Sequence, residues 1–392
     1  MKAKAFIPSV SFLCFWVLLG LGTSGLLQSD DADNELGRYI SWEDLSVAKD
    51  FRRERNLKHD NGVGQEYLAP APSNDEDGSR VIVVEKNGRG DSVTVQGAVD
   101  MVPEGNSQRV KIFIQPGIYR EKVIVPSTKP YISFIGHQSY VGKTVITWSD
   151  KASDRYTNGS EIGTFRTATV RVDSDFFCAT AITIKNTVVA EPGEIGKQAA
   201  ALRITGDKSM LYKVRVLGSQ DTLNDESGSH YFLKCYIEGN VDFIFGNATS
   251  LYRDCYIRST AEGIGSIAAH HRDAESENSG FSFVNCYIGG TGKVYLARAW
   301  GTHSRVVYSN CYMADVIKPS GWDDWEDKAR DSEVLFGEYN CTGKGADRTG
   351  RVPWSKSLTQ DDAKPFLGMK FISGDKWLRL KTSDNKNSQW SI

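Results

Sequence analysis

From about Lys111 the chain alternates short apolar runs with Gly, Asn and Asp. The runs include V-K-I-F-I, K-V-I-V, Y-I-S-F-I, T-V-I-T-W, A-T-V-R-V and T-A-I-T-I. Runs of this length, rich in β-branched residues and bounded by turn formers, predict short strands. Further along, one motif recurs. F-L-K-C-Y-I-E-G, Y-R-D-C-Y-I-R-S, F-V-N-C-Y-I-G-G and Y-S-N-C-Y-M-A-D place Cys235, Cys255, Cys286 and Cys311 at intervals of 20, 31 and 25 residues. A constant core with elastic intervals predicts the stacked coils of a parallel β-helix, with insertions looping out on one side. The cysteine and the residue two positions on share a strand face, so both should form inward ladders. A propeller repeat is longer, roughly 40 residues or more. A sandwich does not repeat a local motif in register. The expected class is therefore all-β, a parallel coil with short flanking helices.

At Arg80 the run V-I-V-V-E reads as the first strand. D-S-V-T-V-Q-G-A-V-D-M-V-P then reads as a short helix, capped by Asp91 or Ser92 and ended by Pro103. S-L-T-Q-D-D-A-K-P-F predicts a capped helical turn near Thr359, covering the open end of the stack. Residues 1–25 have the pattern of a secretory signal: Lys2 and Lys4, an apolar stretch from Val10 to Leu21, then Gly22, Thr23, Ser24 and Gly25. That apolar stretch, about 12 residues, is short for a bilayer span. Residues 26–79 are polar and charged with little periodicity and read as a spacer without its own core. The coil domain is expected over 80–382, followed by a polar tail over 383–392.

Composition changes this picture little. The 392 residues are 40% hydrophobic and 24% charged, ordinary for a globular chain. Net charge is −2 with no long basic run in the folded part, which gives no reason to expect nucleic acid as a partner. Of seven cysteines, Cys14 leaves with the signal. The six that remain permit disulfides in a secreted chain, without choosing among pairings. Asn158, Asn247 and Asn340 head Asn-x-Ser/Thr acceptors. Asn158, in a polar segment, is the best glycosylation candidate, whereas Asn247 follows an apolar run and reads as an interior or turn residue. No His/Cys cluster has metal-ligand spacing, and neither metal nor cofactor is expected.

The chemistry concentrates in two segments. V-R-V-L-G-S-Q-D-T-L (214–223) and C-Y-I-E-G-N-V-D-F-I (235–244) align with an offset of 21 residues. On stacked coils this puts Asp221 and Asp242 one strand spacing apart, roughly 5 Å. Like charges so close split their pKa values, leaving one carboxylate ionised and one protonated. A lone aspartate here would ordinarily be a turn residue. The shared phase argues for more. Asp242 lies among Val241, Phe243, Ile244 and Phe245, and a buried carboxylate calls for a partner. Arg298, in V-Y-L-A-R-A-W, is the best placed, with a purely structural ion pair as the plain alternative. Gln198 and Gln220 read on their own as solvated or laddered polar residues, although an amide can donate to an oxyanion. Trp300 should share the face of Arg298. Trp322 and Trp325, in P-S-G-W-D-D-W-E-D, read as loop aromatics suited to a sugar ring.

G-I-Y-R-E (117–121), K-Q-A-A-A-L (197–202), Q-D-T-L (220–223), D-F-I-F-G-N (242–247), L-A-R-A-W (296–300) and E-Y-N-C-T-G-K-G-A (338–346) occur in this order. Together they resemble the pectin methylesterases over roughly 80–380, in the plant form lacking an inhibitor-like pro-region. C-Y-I-R-S-T-A-E-G-I-G-S-I-A-A-H-H-R-D, with His270 and His271, is similar to the subgroup tied to pollen wall separation. The resemblance implies a right-handed parallel β-helix that hydrolyses the methyl ester at galacturonate C6. It implies Asp242 as nucleophile, Arg298 as the residue holding it ionised, and Asp221 as acid and then base. It implies Gln198, assisted by Gln220, as oxyanion donor. Gln198, Phe245, Arg298, Trp300 and Trp322 become substrate-binding residues. Methylesterified homogalacturonan is the implied partner and a proteinaceous inhibitor a further candidate, for a secreted monomer of the plant cell wall that meets no membrane once the signal is removed. A Cys235–Cys255 bridge resembles one found in parts of the family, and strand spacing allows it. Two packed thiols are the alternative.

The chain departs from the family's L-G-R-P-W at Ala297 and Ala299, which predicts a looser loop around Arg298. Asn224 stands where a tyrosine is common, removing a stacking ring. Two readings compete. One is a non-catalytic pectin-binding protein on the same scaffold. The other is a polygalacturonase or pectate lyase, whose acid clusters or calcium site the chain lacks at matching spacing.

Overall fold

In a computed structural model the described residues are 39–47, 73–190 and 193–380. Parallel strands stack into two sheets of twelve and fourteen strands. The long strands Tyr256–His270 and Tyr287–Arg298 run through both halves of the larger sheet, bending where the register shifts between Thr260 and Ile264. The coil therefore has three faces. One turn of it reads Ser229–Leu233 on the first face, Tyr236–Gly239 on the second and Ile244–Gly246 on the third. It is a right-handed parallel β-helix, as the resemblance implied.

The recurring motif is the corner between the first and second faces. Lys234, Asp254, Asn285 and Asn310, each just before a cysteine, are left-handed, with φ between 52° and 55°. This explains the polar residue there, since Asn and Asp tolerate that conformation best. Cys235, Cys255, Cys286 and Cys311 then point inward, as do Ile237, Ile257, Ile288 and Met313. The tyrosines between them face outward and stack as a ladder, Tyr236 on Tyr256, Tyr287 and Tyr312, with centroids 4.8–5.4 Å apart.

Several expectations meet a different outcome. Cys235 and Cys255 are free thiols. Their Sγ atoms donate to the carbonyls of Leu211 and Phe232 on the preceding coil, at 3.3 and 3.4 Å. Each sulfur is thus aimed at backbone within a continuing thiol ladder, which corrects the expected bridge. The helix spans Val95–Asp100 and its cap is Thr94, whose side chain accepts from Gly97 N. Asp91 is already engaged, accepting from Val83 N at 2.7 Å. The turn at Thr359 has the expected capping box with Asp362.

Parts of the expected spacer pack against the coil. Ile40, Leu45 and Val47 are buried, and Ser73–Asn74 pairs antiparallel with the first strand. The buried Lys111 ammonium donates to Asp75 and Asp77 at 2.6 and 2.7 Å, which fixes this segment against the stack. Residues 1–25 and the tail 383–392 lie outside the described residues. No described helix is long and apolar enough to cross a membrane.

Candidate active site

Asp221 and Asp242 occupy the same corner on successive coils, between the second and third faces. Leu223 pairs with Ile244 beyond them, and Asp221 N donates to Val241 O at 3.1 Å. Both aspartates are left-handed, φ 59° and 46°. Such strain persists where the surroundings over-determine it. One constraint is Gly239, where a Cβ would come within 2.2 Å of the Phe243 Cβ.

Their surroundings differ. Asp242 is 6% exposed and forms a two-point ion pair with Arg298. Arg298 Nε donates to Oδ1 at 3.0 Å and a terminal nitrogen donates to Oδ2. Although burial works against its charge, Asp242, Asp323 and Asp221 raise the Arg298 guanidinium above its ordinary value. The Trp325 ring lies 4.0 Å from the guanidinium carbon and supports it from another side. Asp221 receives no side-chain hydrogen bond among the described residues. Burial first, and the Asp242 charge second, push its carboxyl well above the usual range, against a smaller opposing pull from Arg298. The pair is therefore unequal: an anion clamped by arginine beside a carboxyl that keeps its proton.

Register explains how Arg298 reaches its partner. The outward row on the third face runs Arg203, Asn224, Phe245, Ala269, Arg298, Asp323. Ala269 is small, and the arginine extends across its coil to Asp242. The same register corrects the assignment of Trp322. Ala297 pairs with Trp322 and Arg298 with Asp323, so period two turns Trp322 inward. There it is 1% exposed and stacks on Phe336 at 4.8 Å. The aromatic residue beside Arg298 is Trp325. Trp300 is half-buried on the outside, tilted against Phe245 at 6.2 Å and stacked on His271 at 4.2 Å.

Gln198 and Gln220 sit on successive coils, joined through Ala199 N to Gln220 O at 3.1 Å. Both are half-buried, and no hydrogen bond occupies either amide side chain among the described residues. A groove of 560 Å³ is lined by Gln220 with Leu217, Ser219, Asn240 and Val241, whereas Gln198, Asp221, Asp242 and Arg298 do not line it. Asn224 is buried. Its amide donates to Glu226 at 2.7 Å and accepts from Arg203 Nε at 3.0 Å, so it is locked in a polar network in place of a stacking ring.

The loop around Arg298 is held, contrary to the expectation that losing a proline loosens it. Ala299 N donates to Asp323 O at 2.9 Å, a bond proline could not make. Arg330 NH1 donates to the carbonyls of Ala299 and Trp300. Trp325 is one of the two loop aromatics the sequence marked as suited to a sugar ring; His271 carried a signal only in the double histidine, and Arg330 carried none.

Asn158 is exposed in a turn. Asn247 is half-buried, donates to Glu277 at 2.6 Å and accepts from Ser279 at 2.5 Å, which is the setting of an engaged turn residue. Asn340 is exposed and donates to Asn310 at 2.7 Å. Among the described residues no three His, Cys, Asp or Glu are grouped to hold a metal.

The β-helix thus displays a carboxylate clamped by arginine beside a carboxyl that keeps its proton, a pair suited to acid–base chemistry. The pectinesterase family profile matches residues 81–375. The chain is 66% identical to "Pectinesterase QRT1" of Arabidopsis thaliana, over 97% of this chain and all of that one. It is 44% identical to "Probable pectinesterase 8" of the same plant, over 79% of each. Carrot pectin methylesterase superposes with a TM-score of 0.70 at 34% identity, covering 80% of this chain and 96% of that one. The chain belongs to the pectinesterase family and is a carboxylic ester hydrolase.

Proposed function

We propose that the protein removes methyl esters from galacturonate C6 of homogalacturonan through a covalent aspartyl intermediate. The observation that carries this is the inequality of Asp221 and Asp242. The Asp242 carboxylate attacks the ester carbonyl carbon, and the resulting oxyanion receives the amides of Gln198 and Gln220. Asp221 passes its proton to the departing methoxide, releasing methanol. Its carboxylate then takes a proton from water, which attacks the acyl-enzyme. The pectate carboxyl leaves and Asp242 is restored. The burial that keeps Asp221 protonated makes it an acid at pH values where an ordinary carboxyl is none. Phe245, Trp300 and Trp325 form the aromatic wall for the sugar chain.

The pattern of residues 1–25 supports export to the cell wall, where the protein acts as a monomer without a cofactor. Asn158 is the proposed glycan site and a proteinaceous inhibitor a proposed partner. The double histidine motif extends the proposal to pollen wall separation. The test is methanol release from methylesterified homogalacturonan from acid to alkaline pH. Wild type should release methanol, while Asp221→Asn, which has no proton to give the departing methoxide, should lose most of that release. The reading fails if wild type releases none and Asp242→Ala binds pectin as well as wild type does.

A further inference from the structure

Ser266 touches the same carboxylate as Arg298, at the Oδ1 that also accepts from the arginine Nε. It lies in the strand Tyr256–His270, one coil beyond Asp242, and is 1% exposed. Its Oγ accepts from Asp242 N at 2.9 Å and donates to Asp242 Oδ1 at 2.5 Å. Ser266 N in turn donates to Asn240 O at 3.2 Å. These three bonds clamp the corner Asn240–Asp242 to the next coil.

The direction of the bonds is forced. A main-chain N–H only donates, so the serine oxygen accepts there, and its single proton is left for the carboxylate. Where Asp221 N donates to a backbone carbonyl of the next coil, Asp242 N meets the Ser266 hydroxyl instead. Arg298 holds both carboxylate oxygens in one plane. Ser266 adds a third donor, on the Oδ1 that already takes the arginine Nε, and ties that oxygen to the Asp242 main chain, which restrains rotation about the Cβ–Cγ bond.

We propose that Ser266 is a positioning residue for the attacking carboxylate, setting the plane in which Asp242 meets the ester carbon. This rests on the reading of Asp242 as nucleophile. Positioning acts on acylation, when Asp242 is a free carboxylate. It does not act on the proton transfer by which Asp221 activates water. A serine that merely caps the turn would affect stability and leave the ratio of the two steps unchanged.

The experiment is single-turnover and steady-state methanol release by Ser266→Ala and Ser266→Thr, with Tm measured for each. A lost hydrogen bond to a charged group predicts that Ser266→Ala slows acylation by about ten- to a hundredfold. KM and the rate of acyl-enzyme hydrolysis should stay within about twofold of wild type, and Ser266→Thr should recover most of the loss. Acylation by Ser266→Ala within twofold of wild type overturns the inference, as does an equal slowing of both steps. Should the extra methyl of Ser266→Thr prevent folding, the two steps in Ser266→Ala still decide. Asp242→Asn, measured alongside, separates the failures. If it keeps its activity, the nucleophile reading falls. If it is inactive while Ser266→Ala is normal, only the role of Ser266 falls.

Discussion

Asp221 and Asp225 lie four residues apart on one coil, and the molecule treats them in opposite ways. Asp225 is fully buried. His230 Nδ1 donates to its Oδ1 at 2.5 Å and the Tyr252 hydroxyl to its Oδ2 at 2.6 Å. His230 Nε2 faces Gly206 O at 2.8 Å. Both ring nitrogens therefore meet acceptors, an arrangement that favours the imidazolium. Burial opposes that charge, but Asp225 and the Gly206 carbonyl outweigh it and raise His230 above its ordinary value. Asp221, at the corner, has been given no such partner and holds a proton instead. A carboxylate with a donor on each oxygen stabilises the coil. A carboxyl left unanswered beside a clamped anion is available for chemistry.

The sharpest way to break the comparison is to remove the working anion. Asp242→Asn should lower the rate of methanol release by about 10³-fold or more while far-UV circular dichroism stays unchanged. Next in size, His230→Ala should cost about 3–5 kcal/mol in urea unfolding, because it strands Asp225 in the core. The sign with pH follows from the raised value. The stability His230 provides is fully present below about 6.5 and is lost as pH rises through its folded-state value, so the gap to wild type narrows in alkali. Asp221→Asn should do the reverse. A raised carboxyl costs stability progressively as pH climbs from about 4 toward its folded-state value. The variant should thus melt a few degrees above wild type at pH 8 and equal it near pH 3, while losing activity. The smallest effect belongs to the loop. Ala299→Pro should cost about 1 kcal/mol in thermal melts, since it deletes the bond to Asp323 O.

The sequence disclosed what repeats. The C-Y-I motif carries its own corner residue, and phase alone aligned Asp221 with Asp242. Arg298 was legible because a charge inside an apolar strand demands a partner. What stayed hidden depends on pairing across loops. Trp322 and Trp325 both look like loop aromatics until the register of Ala297 with Trp322 turns one inward. Ser266 is an unremarked serine in G-S-I-A-A until its coil is laid beside Asp242. Asp225, His230 and Tyr252 are separated by 5 and 22 residues and meet only inside the stack. Thr94 took the cap because Asp91 had been claimed by Val83, a tertiary contact that local preference does not encode.

The thiol ladder has a consequence for durability. Burial holds the thiols of Cys255, Cys286 and Cys311 well above their ordinary value, and Cys178 is pushed up to about 12. Peroxide attack and disulfide exchange both need a thiolate. The sulfurs of Cys255, Cys286 and Cys311 can therefore meet an oxidising medium without being consumed, and the core keeps its shape without redox maintenance. Unlike a small secreted domain stapled by disulfides, this coil draws its cohesion from stacking, and reductants in its surroundings should leave its melting temperature where it was.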